Sequence, residues 1–303
     1  MSDLLVRRLF DGPIDIVGDV HGEIDALRSL MFHLGYDEEG KHPDGRRLVF
    51  VGDLTDRGPD SPAVVKLVQS LVVAKRAQCI LGNHELNILL GDQKHDNHWF
   101  FGEEWSLDDS DAPTPAVLAN ESTRQSILGF FRTLPLALER DGLRVVHAFW
   151  DDAMAEIARG ANDAVVLYEE YRNRINAQHI DLALDDIDSG LEHQNQNPVK
   201  VLSSGKERRI EPPFFASGKW RHEERIPWWE DYDSKHLCVF GHYSYYRGEN
   251  NLASHAICTD FAVAKRWQER KQPSFDGTFR GCLGAIRVPE LTLMFDNGDH
   301  ESI

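Results

Sequence analysis

Basic residues are in short supply. The 303-residue chain carries 33 lysines and arginines against 50 aspartates and glutamates, a net charge of −17. A protein that grips a nucleic-acid backbone normally presents a basic face, so this balance argues against that class. A phosphorylated substrate would have to find positive charge locally, in metal ions and a few arginines. Cysteine is also sparse. Cys79, Cys238, Cys258 and Cys282 are scattered without paired metal-ligand spacing and read as small buried hydrophobes in a reducing compartment. No run of about 18 apolar residues is present to span a membrane, and Met1 to Phe10 lacks the apolar core of a signal peptide. A cytoplasmic protein is expected. Low-complexity tracts, internal repeats and a convincing linker are missing as well, which points to one domain over residues 1–303.

What is present is a regular alternation in the first half. Hydrophobic content of 41% and charged content of 27% are ordinary for a soluble globular chain long enough to bury a sizeable core. The apolar runs Ile14–Val17, Leu48–Val51 and Gln78–Leu81 read as buried parallel strands. Helical spacing follows at 23–34 (Ile24, Leu27, Leu30, Met31, Leu34), after Pro59-Asp60-Ser61-Pro62, and from Glu85 to Leu90. This βαβαβα order implies a parallel sheet with right-handed crossovers.

In the second half, Leu143–His147, His236–Gly241, Ala256–Thr259, Leu283–Val288 and Leu291–Phe295 read as strands. The last two are expected to form a hairpin across Pro289-Glu290. Strands following βαβ units suggest a second sheet packed on the first. Two stretches break the pattern, at about 92–125 and 151–235. The second contains helix-like segments, a polar loop at Asn195–Pro198 and an aromatic piece with Trp220, Trp228 and Trp229. Both are expected to be insertions over the rim of the sheet, where loops carry specificity.

Each of the first three strands runs into a turn rich in ligand chemistry. These are Gly18-Asp19-Val20-His21-Gly22, Gly52-Asp53-Leu54-Thr55-Asp56-Arg57-Gly58 and Gly82-Asn83-His84-Glu85. Ligands in open α/β sheets bind just outside the carboxyl ends of the strands, so these side chains are expected on one rim. A two-metal phosphoester site needs a carboxylate shared by both ions, further O and N ligands, and a water held between ions roughly 3.5–4 Å apart. Carboxylate with imidazole suits Mn, Fe or Zn better than Ca. Asp19 and His21 point the same way along an extended segment and can share one ion. Asp53 is the natural bridge, and Asn83, His147 and His242 can complete the second site.

These motifs resemble those of the phosphoprotein-phosphatase branch of the calcineurin-like metallophosphoesterases: Gly-Asp-x-His-Gly, Gly-Asp-x-x-Asp-Arg-Gly and Gly-Asn-His-Glu, unbroken and in order. Bacterial Ser/Thr protein phosphatases and symmetrical diadenosine tetraphosphatases of that superfamily are similar. The latter share a Gly-His turn like Gly241-His242-Tyr243. The resemblance implies an α/β fold, a four-layer αββα sandwich of two mixed sheets flanked by helices. It implies two divalent metal ions, Mn2+ foremost with Fe or Zn as alternatives. One ion would sit on Asp19, His21 and Asp53, and the other on Asp53, Asn83, His147 and His242.

Arg57 would hold the phosphate oxygens and His84, supported by Asp56, would be the general acid. The planar guanidinium fork suits two phosphate oxygens, and an imidazole paired with a carboxylate suits proton delivery to a leaving group. Members of the family use a second phosphate-binding arginine. Arg221 and Arg225 are the first candidates here, with Arg172 and Arg174 behind them. Two departures stand out. Ala148-Phe149-Trp150-Asp151-Asp152 follows the first late histidine where eukaryotic members have two glycines, and Cys258-Thr259-Asp260-Phe261 replaces the usual C-terminal Ser-Ala-Pro-Asn-Tyr loop.

The expected function is therefore hydrolysis of phosphomonoesters by in-line attack of a metal-bridging hydroxide, with phosphoserine or phosphothreonine in protein as substrate. The alternative is symmetrical cleavage of a bis(5'-nucleosyl) tetraphosphate, with a non-catalytic phosphate-binding protein as a remote third. His95 and His98 read as loop histidines and the acidic run Asp108, Asp109, Asp111 as a solvated loop. The Trp220, Trp228 and Trp229 cluster reads as packing of the inserted segment rather than an adenine-stacking surface.

Overall fold

A computed structural model describes residues 4–94, 96–102, 116–179, 184–216, 219–249, 252–253 and 255–303. The chain opens with β1 (Val6–Arg8) and β2 (Ile14–Val17), then α1 (Ile24–Leu34), β3 (Arg47–Phe50), α2 (Ser61–Val73), β4 (Ala77–Cys79) and α3 (Asn83–Leu90). Local chemistry sets these boundaries. The Asp60 side chain caps α2 by accepting the N–H of Ala63, and Pro62 sits in the first turn, where its missing N–H costs nothing. Gly35 ends α1 in a left-handed conformation, φ 93°, which glycine adopts without penalty. α3 begins two residues earlier than its periodicity suggests, because Glu85 reaches back to the N–H of Gly82 at 3.0 Å and so draws Asn83 and His84 into its first turn.

The middle of the chain supplies α4 (His98–Phe101), α5 (Glu121–Phe131), β5 (Ala137–Arg140) and β6 (Leu143–Val146). It continues with α6 (Asp152–Arg159), α7 (Ala164–His179), α8 (Asp186–Gln196), α9 (Pro198–Ser204) and the strands β7 (Glu207–Ala216) and β8 (Lys219–Arg225). The polar loop expected at Asn195–Pro198 is instead a tight joint. Asn195 and Gln196 finish α8, and the Asn197 side chain accepts the N–H groups of Val199 and Lys200 to start α9 at Pro198. Capping competes successfully with the loop tendency of these residues. Among its described residues the stretch 151–235 thus holds four α-helices, a two-stranded ribbon, β7 against β8, and a 3-10 turn at Trp228–Glu230. The acidic run Asp108, Asp109, Asp111 and His95 lie outside the described residues.

The chain closes with β9 (Leu237–Phe240), β10 (Leu252–Ala253), β11 (Ala256–Cys258), α10 (Arg266–Lys271), β12 (Gly284–Val288), β13 (Thr292–Phe295) and β14 (His300–Ser302). Two six-stranded mixed sheets result, in the orders β1-β5-β6-β9-β11-β10 and β14-β13-β12-β2-β3-β4. The β12–β13 hairpin forms as expected, but it does not build the second sheet. It returns antiparallel to β2, pairing Ile286 with Ile16. Register with a strand so distant in sequence is set by tertiary packing, which local pattern cannot report.

Alternation along the strands explains the layers. Ile14, Ile16, Val49, Val51 and Ile80 face Leu138, Val145, Val239 and Ile257 of the other sheet in one fully buried core. Residues of opposite phase, Val17, Leu48 and Phe50, pack outward in a core that includes Leu27, Leu30, Val64 and Val68 of α1 and α2. The result is two mixed sheets flanked by helices, the metallophosphatase architecture. Each sheet has a parallel triplet, β2-β3-β4 in one and β6-β9-β11 in the other.

Candidate active site

The carboxyl ends of those two triplets meet, and they deliver the candidate residues. Asp19 and His21 follow β2, Asp53, Asp56 and Arg57 follow β3, and Asn83 and His84 follow β4. His147 and His242 come from β6 and β9 of the opposite sheet. The approach is close enough to require glycine. A Cβ on Gly18 would lie 1.9 Å from the Thr259 carbonyl oxygen, and one on Gly241 2.0 Å from Asp19 Oδ1. Five of the site residues, His21, Asp53, Asp56, Arg57 and His242, hold left-handed backbones with φ between 46° and 72°. Such conformations are disfavoured for non-glycine residues and persist where the surroundings over-determine them, typically at functional sites.

Asp53 is the centre of the cluster. Its Oδ2 lies 3.9 Å from His21 Nε2, 3.8 Å from His84 Nε2 and 3.3 Å from His147 Nε2. Asp53 with His21 and His84, and Asp53 with His147 and His242, are two groups whose ligand atoms converge closely enough to hold an ion. Asp19 joins from the side. Its Oδ2 is 3.8 Å from His21 Nε2, and it accepts the backbone N–H of His242 at 3.1 Å. Asn83 Oδ1 is 3.2 Å from His147 Nε2.

The donor set fits metal. His21 Nδ1 is bound to the Thr55 carbonyl at 3.0 Å and His147 Nδ1 to that of Val51 at 2.8 Å. Each Nδ1 therefore donates, which leaves each Nε2, on the side of Asp53, as the ring nitrogen that can coordinate a metal. His242 Nε2 is buried and makes no hydrogen bond. Acceptor atoms facing one another around an orphaned ring nitrogen are what a cation satisfies. The charge balance agrees. Burial, with the charges of Asp260 and Asp53, drives the Asp19 carboxyl well above the usual carboxylate range. Against the same burial, His147 and His84 hold Asp53 well below it. Burial, with Arg57 beside one and Arg225 beside the other, pushes His21 and His242 well below their ordinary values, toward the neutral ligand form.

His84 and Asp56 form a buried pair, His84 Nδ1 to Asp56 Oδ2 at 2.5 Å. Arg57 is half-buried beside them; burial, reinforced by its charge and opposed by Asp53, pushes His84 down to about 3, and the same burial and charge push His21 down. The two first-choice rim arginines separate. Arg225, at the base of the β7–β8 ribbon, donates to the His242 carbonyl at 3.0 Å. Arg221 stands further up β8, opposite Phe214. Arg172 is paired with Glu169 on α7, and Arg174 lies over Tyr171, so neither faces this cluster. Trp228 and Trp229 are buried. Trp228 donates its N–H to the Ala148 carbonyl, as expected of packing residues, whereas Trp220 is 62% exposed. His98, expected on a loop, is buried in α4.

Three contributors had no assigned role in the sequence. Glu85 accepts the N–H groups of Asp53, Leu54 and Gly82, locking two ligand turns together, while burial and the charge of Asp53 push its pKa up to about 8. Its place as the fourth residue of Gly-Asn-His-Glu was a signal for such a brace. Asp260, buried after β11, accepts the N–H of Ala262 and acts on Asp19 through space. Trp99 donates to Asp56 Oδ1 at 2.6 Å, and no local pattern announced it.

Comparison with known proteins gives the same answer. The sequence model of the calcineurin-like phosphoesterase family matches residues 12–274. A bis(5'-nucleosyl)-tetraphosphatase PrpE [asymmetrical] from Oceanobacillus iheyensis is 54% identical over 74 residues, 23% of this chain and 30% of that protein. The protein of the same name from Geobacillus sp. is 36% identical over 141 residues, 45% of this chain and 56% of its own length. The chain thus spans from 30% to 56% of the curated relatives it matches.

Among solved structures, a putative diadenosine tetraphosphatase superposes with a TM-score of 0.53 at 19% identity, covering 96% of this chain and 97% of that one. A Saccharomyces cerevisiae serine/threonine phosphatase with similarity to human PP5 gives 0.51 at 14%, covering 95% and 77%. At such identities they share the fold. With that fold, a matching profile over most of its length and acidic and imidazole groups gathered where the two sheets meet, the chain belongs to the calcineurin-like phosphoesterase family of hydrolases.

Proposed function

We propose that this protein is a dinuclear metal-dependent phosphoesterase that hydrolyses phosphomonoesters, with phosphoserine or phosphothreonine in protein as the substrate class. The observation that carries the reading is Asp53, one carboxylate standing between His21 on one side and His147 on the other. Asp19, His21 and Asp53 would hold one ion, and Asp53, Asn83, His147 and His242 the second. Bound there, divalent ions supply Lewis acidity toward phosphoryl oxygens and lower the pKa of a bound water toward neutrality.

The rest of the chemistry falls to the chain. Arg57 binds the phosphate oxygens through its planar fork. Arg225 is the arginine best seated to add a second contact from the other side. His84, oriented by Asp56 through Nδ1, presents Nε2 to the cluster and gives a proton to the leaving oxygen. Main-chain anchors on His21 and His147 keep these rings fixed, so little reorganisation is needed at the moment of reaction. In this reading the chain forms one domain, with the helical segment and ribbon of 151–235 as the substrate-facing rim.

A second reading is favoured by the PrpE relatives, which are named asymmetrical tetraphosphatases. On that reading the unequal cut of a diadenosine tetraphosphate would give ATP and AMP, not the two ADP of the symmetrical cut that was the alternative in the sequence. Mn2+-loaded protein incubated in parallel with a phosphoserine peptide and diadenosine tetraphosphate separates the readings. Phosphate from the peptide, far ahead of dinucleotide turnover, supports the first. ATP with AMP as dominant products replaces it with the second, and paired ADP restores the symmetrical alternative.

A further inference from the structure

We infer that Trp99 is a positioning residue for the general acid: its indole N–H fixes the Asp56 carboxylate and, through it, the tautomer and aim of His84. This deepens the proposed function and rests on the role given there to His84.

The geometry is a relay of two hydrogen bonds through one carboxylate. Trp99 Nε1 donates to Asp56 Oδ1 at 2.6 Å, and His84 Nδ1 meets Asp56 Oδ2 at 2.5 Å. Asp56 is 0% exposed and Trp99 1%, so water does not substitute for either partner. A carboxylate held by one oxygen can still turn about its own axis. Held by both, its plane is set, and the imidazole bound to it is set with it. The backbone of Asp56 is pinned as well, with its N–H donating to Ser61 Oγ at 2.9 Å in a left-handed conformation, φ 72°. Without the indole donor, Oδ1 would be a buried carboxyl oxygen lacking that partner, an arrangement proteins avoid.

Trp99 is itself firmly placed. Its carbonyl accepts the N–H of Ala119 at 2.8 Å, and its ring meets Phe100 edge-on at 5.6 Å. Just before it, Asn97 closes its turn by accepting the N–H of Lys94 and donating to the Asp92 carbonyl. The inserted stretch at 92–125 therefore reaches Asp56 through the Trp99 side chain. Trp99 and Asp56 are not among the residues that would hold the two ions, and the metal content of the variants separates an effect on proton delivery from one on the ion group that His84 borders.

The test is a leaving-group comparison. Metal-loaded Trp99→Phe, His84→Asn, the double variant and the unaltered protein are each assayed on an alkyl phosphate, whose leaving oxygen needs a proton, and on dinitrophenyl phosphate, whose leaving group does not. Trp99→Phe is expected to lower kcat on the alkyl ester by roughly 10–100-fold, the usual effect of removing an outer hydrogen-bond partner, and to lose far less on the activated ester at unchanged metal content. The double variant should be no slower on the alkyl ester than His84→Asn, because both substitutions act through one group.

Equal losses of Trp99→Phe on both esters, no loss on either, or an additive loss in the double variant would overturn the inference. His84→Asn without any leaving-group dependence would instead overturn the general-acid role itself, whatever Trp99 does. If Trp99→Phe fails to fold, benzothienylalanine at position 99 keeps the ring shape, removes the N–H and must give the same split.

Discussion

Asp53 and His147 come from different sheets, yet Asp53 Oδ2 and His147 Nε2 are 3.3 Å apart. That contact closes the seam between the two parallel triplets and puts an anionic oxygen where two groups of imidazoles converge. Burial and the carboxylate neighbours Asp260 and Asp53 push the Asp19 carboxyl up, and a cation bound by these groups would offset that cost. Ion binding and fold stability are therefore linked through the same atoms.

Metal should stabilise the fold. A ligand that binds only the folded state at 100 times its Kd adds about 2.7 kcal/mol, which for a chain of this size raises Tm by roughly 4 °C. Adding Mn2+ to chelator-treated protein should produce that rise in a thermal scan. Asp53→Asn should remove the response while leaving a folded protein.

Gly241→Ala should mimic a ligand mutation. The added methyl would start 2.0 Å from Asp19 Oδ1 and 2.9 Å from Val51 Cγ2, so Asp19 must move. We expect lower metal content and activity together, read by elemental analysis of the purified variant. Gly129→Ala, in α5, where a Cβ meets nothing within 4 Å, is the control and should keep its metal.

Glu85→Gln tests the brace between the ligand turns. Every hydrogen bond of Glu85 among the described residues is an accepted one, from Asp53, Leu54, Gly82 and Thr55. An amide group turned toward those donors would leave at least one unpaired, at about 1–3 kcal/mol. Denaturant unfolding of the metal-free protein at about pH 9, above the raised pKa of about 8, should show that loss, and unchanged stability there would refute the assigned role.

Acid should weaken the start of α6. Asp151 caps that helix and meets Lys206 Nζ at 2.6 Å. Although burial raises its pKa, the ammonium and the helix N–H groups prevail and hold it below the usual range. A carboxyl depressed on folding contributes stability that is full above its unfolded value of about 3.9 and disappears as pH falls through the lower folded value. Asp151→Ala should cost about 1 kcal/mol near neutrality, the typical worth of a cap, and the difference from the unaltered protein should shrink below about pH 4. A gap that stays constant with pH would contradict the ionic part of this account.

The metal-facing half of the site was legible because it is local. Each glycine-bracketed motif packs strand, turn and ligand into a few consecutive residues, and strand ends of a parallel sheet necessarily share a rim. His147 and His242 were readable for the same reason, as histidines ending apolar runs. What the sequence hid depends on long-range pairing. The β12–β13 hairpin carries no mark telling it to join β2 and not β11. Trp99 meets Asp56 across 43 positions from a segment whose composition reads as loop. Arg225 could be separated from Arg221, Arg172 and Arg174 only once the ribbon's base was seen against His242. Asn197 shows the converse, a loop-forming residue whose side chain found a helix to cap.

Metal stoichiometry measured with activity tests the central claim most directly. Chelator-treated protein is titrated with Mn2+, bound ion per chain is determined by elemental analysis, and aryl phosphate hydrolysis is followed on the same samples. The account predicts two ions per chain, with turnover rising as the second site fills and absent without metal. Full activity in the metal-free protein, or at one ion per chain, would contradict it.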